Sequence, residues 1–287
     1  MTGQVLSTNR GRVLKRFLRD PGTVFGSSIA ILLLLVAIFA PWFTGNPLKQ
    51  DTAKRLEAPN SEHWLGTDQL GRDVMSRVLY GARISLRVGL VVTTLSLLVG
   101  GVIGLLAGLM GGLWDDILMR ITDIFLAFPG LILAMAISAA LGPNLTNVMI
   151  AVAAVSWPSY ARLLRAQVLS IKNLEFVDAA RALGAGRARI AWQHLLPNSL
   201  APLLVQASFD IGSAILTAAG LSFIGFGAQP PTPEWGAMVS ETRNFINEAP
   251  WASSSPAIAI LLTVLAFNLL GDGIRDVLDP RGNIRKG

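Results

Sequence analysis

Residues 124–161 read IFLAFPGLILAMAISAALGPNLTNVMIAVAAVSWPSYA, a run without Asp, Glu, Lys or Arg. A helix needs about 20 predominantly apolar residues to cross some 30 Å of hydrocarbon. The run is long enough for two crossings, and Gly142-Pro143-Asn144 near its middle supplies a turn. Outward from it, residues 21–48, 88–114, 190–209, 211–233 and 249–271 also lack charge. Pro197-Asn198 and the glycines after residue 224 confine the runs 190–209 and 211–233 to one crossing, with Asp210 inside it. The pattern predicts an all-α integral membrane protein of six transmembrane helices, near 22–43, 86–111, 121–141, 145–163, 199–223 and 254–272.

Composition excludes the alternatives. Of 287 residues, 52% are hydrophobic and 15% charged, where soluble domains carry about 25% charge. Disorder, a disulfide scaffold and an ordinary cytosolic enzyme are all disfavoured. There is no cysteine, hence no thiolate nucleophile or Cys-bound zinc. The net charge of +6 is a topology signal, not a nucleic-acid one. Sixteen of the 24 Lys and Arg fall in 1–20, 113–120, 161–197 and 273–287, against six in the opposite segments. Both termini and the 161–197 loop are therefore expected in the cytoplasm. Arg10, Arg12, Lys15, Arg16 and Arg19 precede an apolar stretch too long for a signal peptide, so an uncleaved first span is expected. The chain divides into 1–85 (N-terminus, first transmembrane helix and outer loop) and 86–287, a five-helix core.

No P-loop, H-E-x-x-H or G-x-S-x-G occurs. His63 and His194 fall on opposite sides of the membrane in this topology and cannot share a site. Intramembrane carboxylates are too sparse for a proton relay. No catalytic residue, metal site or cofactor is expected in this chain.

The cytoplasmic loop is too long to be featureless. Phe176, Ala179, Ala180 and Leu183 recur at helical spacing, which predicts an apolar stripe. Asn173 is placed to cap that helix, and Glu175 and Asp178 sit early in it, where the dipole favours anions. Gly184 suits its end. A second short helix would carry Ala188, Ala191, Trp192 and Leu195 on one face, before Pro197. Such a helix–Gly–helix bracket would move two spans together when pushed.

Asp178-Ala179-Ala180, three residues, Gly184 and then Leu196-Pro197 resemble the E-A-A-x3-G-x9-I-x-L-P loop of ABC importer permeases. Asp178 replaces the first Glu, and His194 stands where Ile is usual. The resemblance implies an ABC permease fold with cytoplasmic coupling helices. It implies that the loop 173–197, through Glu175, Asp178, Ala179, Ala180, Gly184, Ala185, Leu196 and Pro197, docks on a separate ATPase subunit.

Further strings look like the C-type permease of dipeptide and oligopeptide importers. They include His63-Trp64-Leu65-Gly66-Thr67-Asp68, Tyr80-Gly81-Ala82-Arg83-Ile84-Ser85-Leu86 and Pro233-Glu234-Trp235-Gly236. The resemblance implies a homologous second permease, two ATPases that use ATP and Mg, an external solute-binding protein and a bacterial or archaeal inner membrane. Peptide is the favoured substrate; nickel and glutathione importers of the same family, and an ATPase-independent secondary transporter, are the alternatives.

Other features carry plain readings. Gly100, Gly104, Gly108 and Gly112 give one smooth face for helix packing. Pro129 and Pro158 kink helices or free carbonyls along a path. Trp157 and Tyr160 are expected in an interfacial belt, Asp68 and Asp73 as solvated loop carboxylates, and 73–84 as a helix on the outer membrane surface. Gln206 and Asp210, one turn apart inside a span, join Pro129 as candidates for the translocation path.

Overall fold

A computed structural model describes residues 20–278; the basic residues from Arg10 to Arg19 and the basic tail lie outside them. The first helix, α1 (Pro21–Phe43), starts at Asp20, whose carboxylate accepts from the Thr23 N–H at 2.7 Å, with Pro21 in the first turn. Helix α2 (Val74–Met110) is capped by Asp73, which accepts from the Ser76 N–H at 2.7 Å. Its 37 residues correspond to about 55 Å at 1.5 Å per residue. The surface helix expected over 73–84 is instead the first part of α2. Gly81 lies within it where the Trp235 ring and the Pro233 carbonyl occupy the space a side chain would need.

The crossing expected over 121–141 is an elbow. Helices α3 (Gly112–Ala127) and α4 (Gly130–Leu141) meet at 91°. Pro129 has no N–H to continue α3, and it holds Phe128 extended (φ −93°, ψ 143°). The turn at Gly142-Pro143-Asn144 forms as expected: Gly142 has φ +89°, and Asn144 caps α5 (Leu145–Ile171) from its side chain. Pro158 lies within α5 without ending it.

Two short helices, α6 (Glu175–Ala182) and α7 (Arg187–Ile190), precede a π-helical turn at Ala191–Leu195 that runs directly into α8 (Leu196–Ile224). Helix α9 (Trp235–Thr242) and the last helix, α10 (Pro250–Leu278), complete the described chain. Among the described residues, four helical stretches are long and apolar enough to cross a membrane: α1, α2, Arg187–Ile224 and α10. The α3–α4 elbow makes a fifth if it counts as one span. Helix α5 is interrupted by Ser156, Tyr160, Arg162 and Arg165 and is not among them.

The packing is set by small residues. Along α2, a Cβ at Gly100, Gly104 or Gly108 would strike the Trp157 carbonyl, the Ala161 carbonyl or Val168 of α5. The two helices therefore run parallel, backbone against backbone, as the smooth-face reading expects. Gly112 is outside the stripe; it has φ +55° and no neighbour within reach. Gly26 and Gly273 fit α1 against α10 in antiparallel sense, facing Leu269 and Thr23 respectively.

Candidate functional site

The loop 173–197 is a bracket fixed to the bundle. Helix α6 begins after Leu174, not Asn173, and has no side-chain cap. Glu175 and Asp178 occupy its first turn, and Asp178 pairs with Arg181 at 2.6 Å. At its end the Gly184 N–H donates to the Arg181 carbonyl and the Ala185 N–H to the Ala180 carbonyl, with Gly184 at φ +86°. This is a Schellman cap, which only a residue tolerant of left-handed φ completes without strain.

The expected apolar stripe is out of phase with the buried face. Val177 points inward and is fully buried, while Phe176 and Ala179 are exposed and Leu183 is 89% exposed. In the second half Ile190, Ala191 and Leu195 are buried, whereas Ala188 is exposed and Trp192 is 68% exposed. The alanines at 179, 180 and 182 fit either phase, so the sequence pattern alone does not choose. The inward set (Val177, Ile190 and Leu195) joins Tyr160, Leu164, Val168 and Ile171 of α5 and Leu203 of α8 in one core cluster. Leu105 and Leu109 of α2 pack on its edge. Burying such side chains stabilises by about 1.5–3 kcal/mol each, which makes the bracket one body with three long helices.

Polar contacts reinforce it. Lys172 Nζ donates to the Gly108 carbonyl at 2.9 Å, and Arg181 donates to the Lys172 carbonyl at 3.0 Å. The Asp115 carboxylate accepts two hydrogen bonds from Arg165, at 2.5 and 2.6 Å, which ties α3 to α5. The His194 ring lies against Phe176, with centroids 6.0 Å apart, so the polar residue in the usual Ile position still packs on an apolar neighbour. Ala185 and Leu196 are half-buried, while Pro197 is exposed in the first turn of α8. The outer surface of the bracket thus presents Leu174, Phe176, Leu183 and Trp192 beside Glu175 and the Asp178–Arg181 pair. It is an exposed apolar surface with a charged margin.

Of the three path candidates, Gln206 and Asp210 meet and Pro129 lies apart. Gln206 Nε2 donates to Asp210 Oδ1 at 3.0 Å. Asp210 lines a cavity of about 50 Å³ with Thr93, Ser96, Ser156, Tyr160, Ser213 and Thr217. Pro129 sits at the exposed α3–α4 elbow and does not line that cavity. Trp157 and Tyr160 are not an interfacial belt. Trp157 is buried edge-on against Phe125, with centroids 5.3 Å apart, and Tyr160 faces the Asp210 cavity.

At the opposite end of α2, Asp68 is not solvated: it is 2% exposed and pairs with Arg72 at 2.6 Å and Arg77 at 3.6 Å. Both arginines also reach Glu241 of α9. Asp73 caps α2 and contacts His63 at 3.0 Å. Glu234 caps α9, accepting from the Gly236 and Ala237 N–H groups at 2.9 Å each, and its burial pushes its pKa up. Among the described residues no group of His, Cys, Asp and Glu could hold a metal ion.

Long apolar helices, glycine-packed in parallel and carrying a rigid bracket at one end, are those of a multi-pass membrane protein. The chain belongs to the family of binding-protein-dependent transport system inner membrane components, whose model matches residues 100–283. The N-terminal transmembrane domain of oligopeptide transport permease C matches residues 8–59.

The chain is 47% identical over 269 residues to the dipeptide transport system permease protein of Alkalihalophilus pseudofirmus, covering 93% of this chain and 88% of that one. It is 51% identical over 263 residues to a probable D,D-dipeptide transport system permease protein of Escherichia coli, covering 91% and 88%. A glutathione transport system permease protein of Escherichia coli is 46% identical, covering 93% and 89%. An inward-facing structure of the MetNI methionine ABC transporter matches the fold, with a TM-score of 0.57 at 18% identity, covering 71% of this chain and 98% of that one.

Proposed function

We propose that the chain is the permease subunit of an ATP-driven importer for di- or oligopeptides, forming half of a translocation path and coupling it to separate ATPases. The observation that carries this reading is the bracket. Its inner face is fused to α2, α5 and α8, while its outer face leaves Phe176, Leu183 and Trp192 uncovered. A partner pressing on that face moves all three helices, because packed elements transmit displacement.

Closure of two ATPases, using ATP and Mg, would rock the spans and open the path outward, toward an external solute-binding protein; hydrolysis would reset it. A homologous second permease supplies the other half of the path.

Six crossings follow if the α3–α4 elbow and α5 each count once. The parallel packing of α2 and α5 supports this, since the chain between two parallel spans must cross an odd number of times. Arg162 and Arg165 of α5 are paired with Asp123 and Asp115, which lowers the cost of their position. The antiparallel packing of α1 and α10 supports a shared side for residues 20 and 278, and the Lys and Arg distribution supports reading that side as cytoplasmic.

The reading is tested by reconstituting the chain with its partner permease, ATPases and binding protein in liposomes. ATP-dependent uptake of labelled dipeptide, resistant to excess glutathione or nickel, is the expected result. Displacement by glutathione would assign the substrate of the glutathione relatives instead. Uptake by the chain alone, without ATPases, would make it a secondary transporter.

A further inference from the structure

Four arginines lie in and just ahead of the first half of α2, and they divide into two pairs. Arg72 and Arg77 are buried and matched by Asp68 and Glu241. Arg83 and Arg87 are exposed, and every ion pair among the described residues lies elsewhere. They stand one helical turn apart and line a groove of about 470 Å³ between α1 and α2, whose remaining walls are Leu34, Ala37, Ile38, Leu86, Leu90 and Val91.

Their depth follows from helix rise. Arg87 to Met110 spans about 35 Å at 1.5 Å per residue, against about 30 Å of hydrocarbon. The two guanidinium groups therefore reach headgroup level at the Val74 end of α2. On α1 the exposed Trp42 and Phe43 lie one to two turns beyond Leu34–Ile38 toward that same end, where aromatic side chains collect. Below the arginines the groove is apolar and runs toward the bilayer centre.

We propose that Arg83, Arg87 and the α1–α2 groove form a binding site for an anionic phospholipid. The phosphate bridges the two guanidinium groups, which match phosphate oxygens through paired N–H donors. One acyl chain lies along Leu34, Ile38 and Leu90. A zwitterionic lipid fits the groove equally well but brings its own ammonium group against two cations, so the site selects net negative charge. In the topology proposed above the lipid belongs to the outer leaflet; the site itself depends only on the arginines and the groove.

The test uses the assembled transporter in nanodiscs of phosphatidylcholine with a minor fraction of phosphatidylglycerol, followed by native mass spectrometry of retained lipid. The wild type is expected to keep phosphatidylglycerol preferentially. Retention should fall roughly fivefold in Arg83→Gln or Arg87→Gln and about thirtyfold in the double variant. The double variant must elute as the same complex, which separates loss of lipid from loss of fold. Equal retention of the two lipids by the wild type, or equal retention of phosphatidylglycerol by wild type and double variant, would overturn the site. So would dissociation of the partner permease from the double variant in every lipid mixture, since the arginines would then be a protein contact.

Discussion

The Lys172 ammonium donates to the Gly108 carbonyl at 2.9 Å, across 64 residues of sequence. Gly108 lies in the last turn of α2, where carbonyls have no partner within the helix and the dipole favours a cation. The residue just ahead of the bracket thus closes the far helix. Replacing Lys172 with Met keeps the stem and removes this bond, at a cost of about 1 kcal/mol. The complex should still assemble and hydrolyse ATP, while dipeptide uptake falls several-fold. Unchanged uptake per ATP hydrolysed would show that the contact carries no coupling.

Gly184 separates a backbone requirement from a contact. Its φ of +86° strains any residue with a Cβ, yet nothing lies within 4 Å of where that Cβ would be. Gly184→Val places a β-branched residue in the left-handed region at about 1–2 kcal/mol and should uncouple ATP hydrolysis from uptake with the subunit still inserted. Asn enters this conformation more readily, so Gly184→Asn should retain most of the uptake. If the Asn variant fails as completely as Val, the need is for a bare surface under the ATPase and not for the turn.

The seam between α2 and α5 offers a matched pair of substitutions. A Cβ at Gly104 meets the Ala161 backbone, whereas one at Gly101, three residues away, first meets Leu164 at 4.0 Å. Gly104→Ala should destabilise by about 1–3 kcal/mol through overpacking. Gly101→Ala should be neutral or stabilising by up to about 1 kcal/mol through helix propensity. Thermal midpoints of the detergent-solubilised complex compare the two directly. A similar drop in both would mean that the glycines serve helix flexibility instead of close approach.

The sequence made the long elements legible because uncharged runs are local signals. Asp20, Asp73 and Asn144 each begin a helix with a side-chain hydrogen bond, and the Gly100–Gly104–Gly108 stripe announced its packing. What stayed hidden depends on distant pairing or on angle. The string Phe128-Pro129 signals a break but not its 91° bend. Asp68 reads as a loop carboxylate until Arg72, Arg77 and Glu241, the last separated from Arg72 by 169 residues, fold onto it. The bracket motif was visible, but its phase was not: Val177 and Ile190 are buried by α5, and alanine-rich helices accept either rotation.

Glu234 makes a prediction about pH. Its carboxylate is buried at the start of α9, and burial raises its pKa above the usual 4.5 against the lowering effect of the Gly236 and Ala237 N–H groups. A raised value means that the folded protein holds a proton which the unfolded chain has released. Between 4.5 and the raised value, folding therefore takes up a proton, and stability falls as pH rises. Below the ordinary value both states are neutral and the penalty vanishes; above the raised value it is constant. Glu234→Gln removes the titration and keeps one acceptor for the cap. Thermal midpoints of the solubilised complex, taken in steps from acid to neutral pH, should slope downward for the wild type and less steeply for the variant. Parallel slopes would place the pH dependence in other carboxylates and leave Glu234 ionised at little cost, held by the two N–H bonds of its own helix.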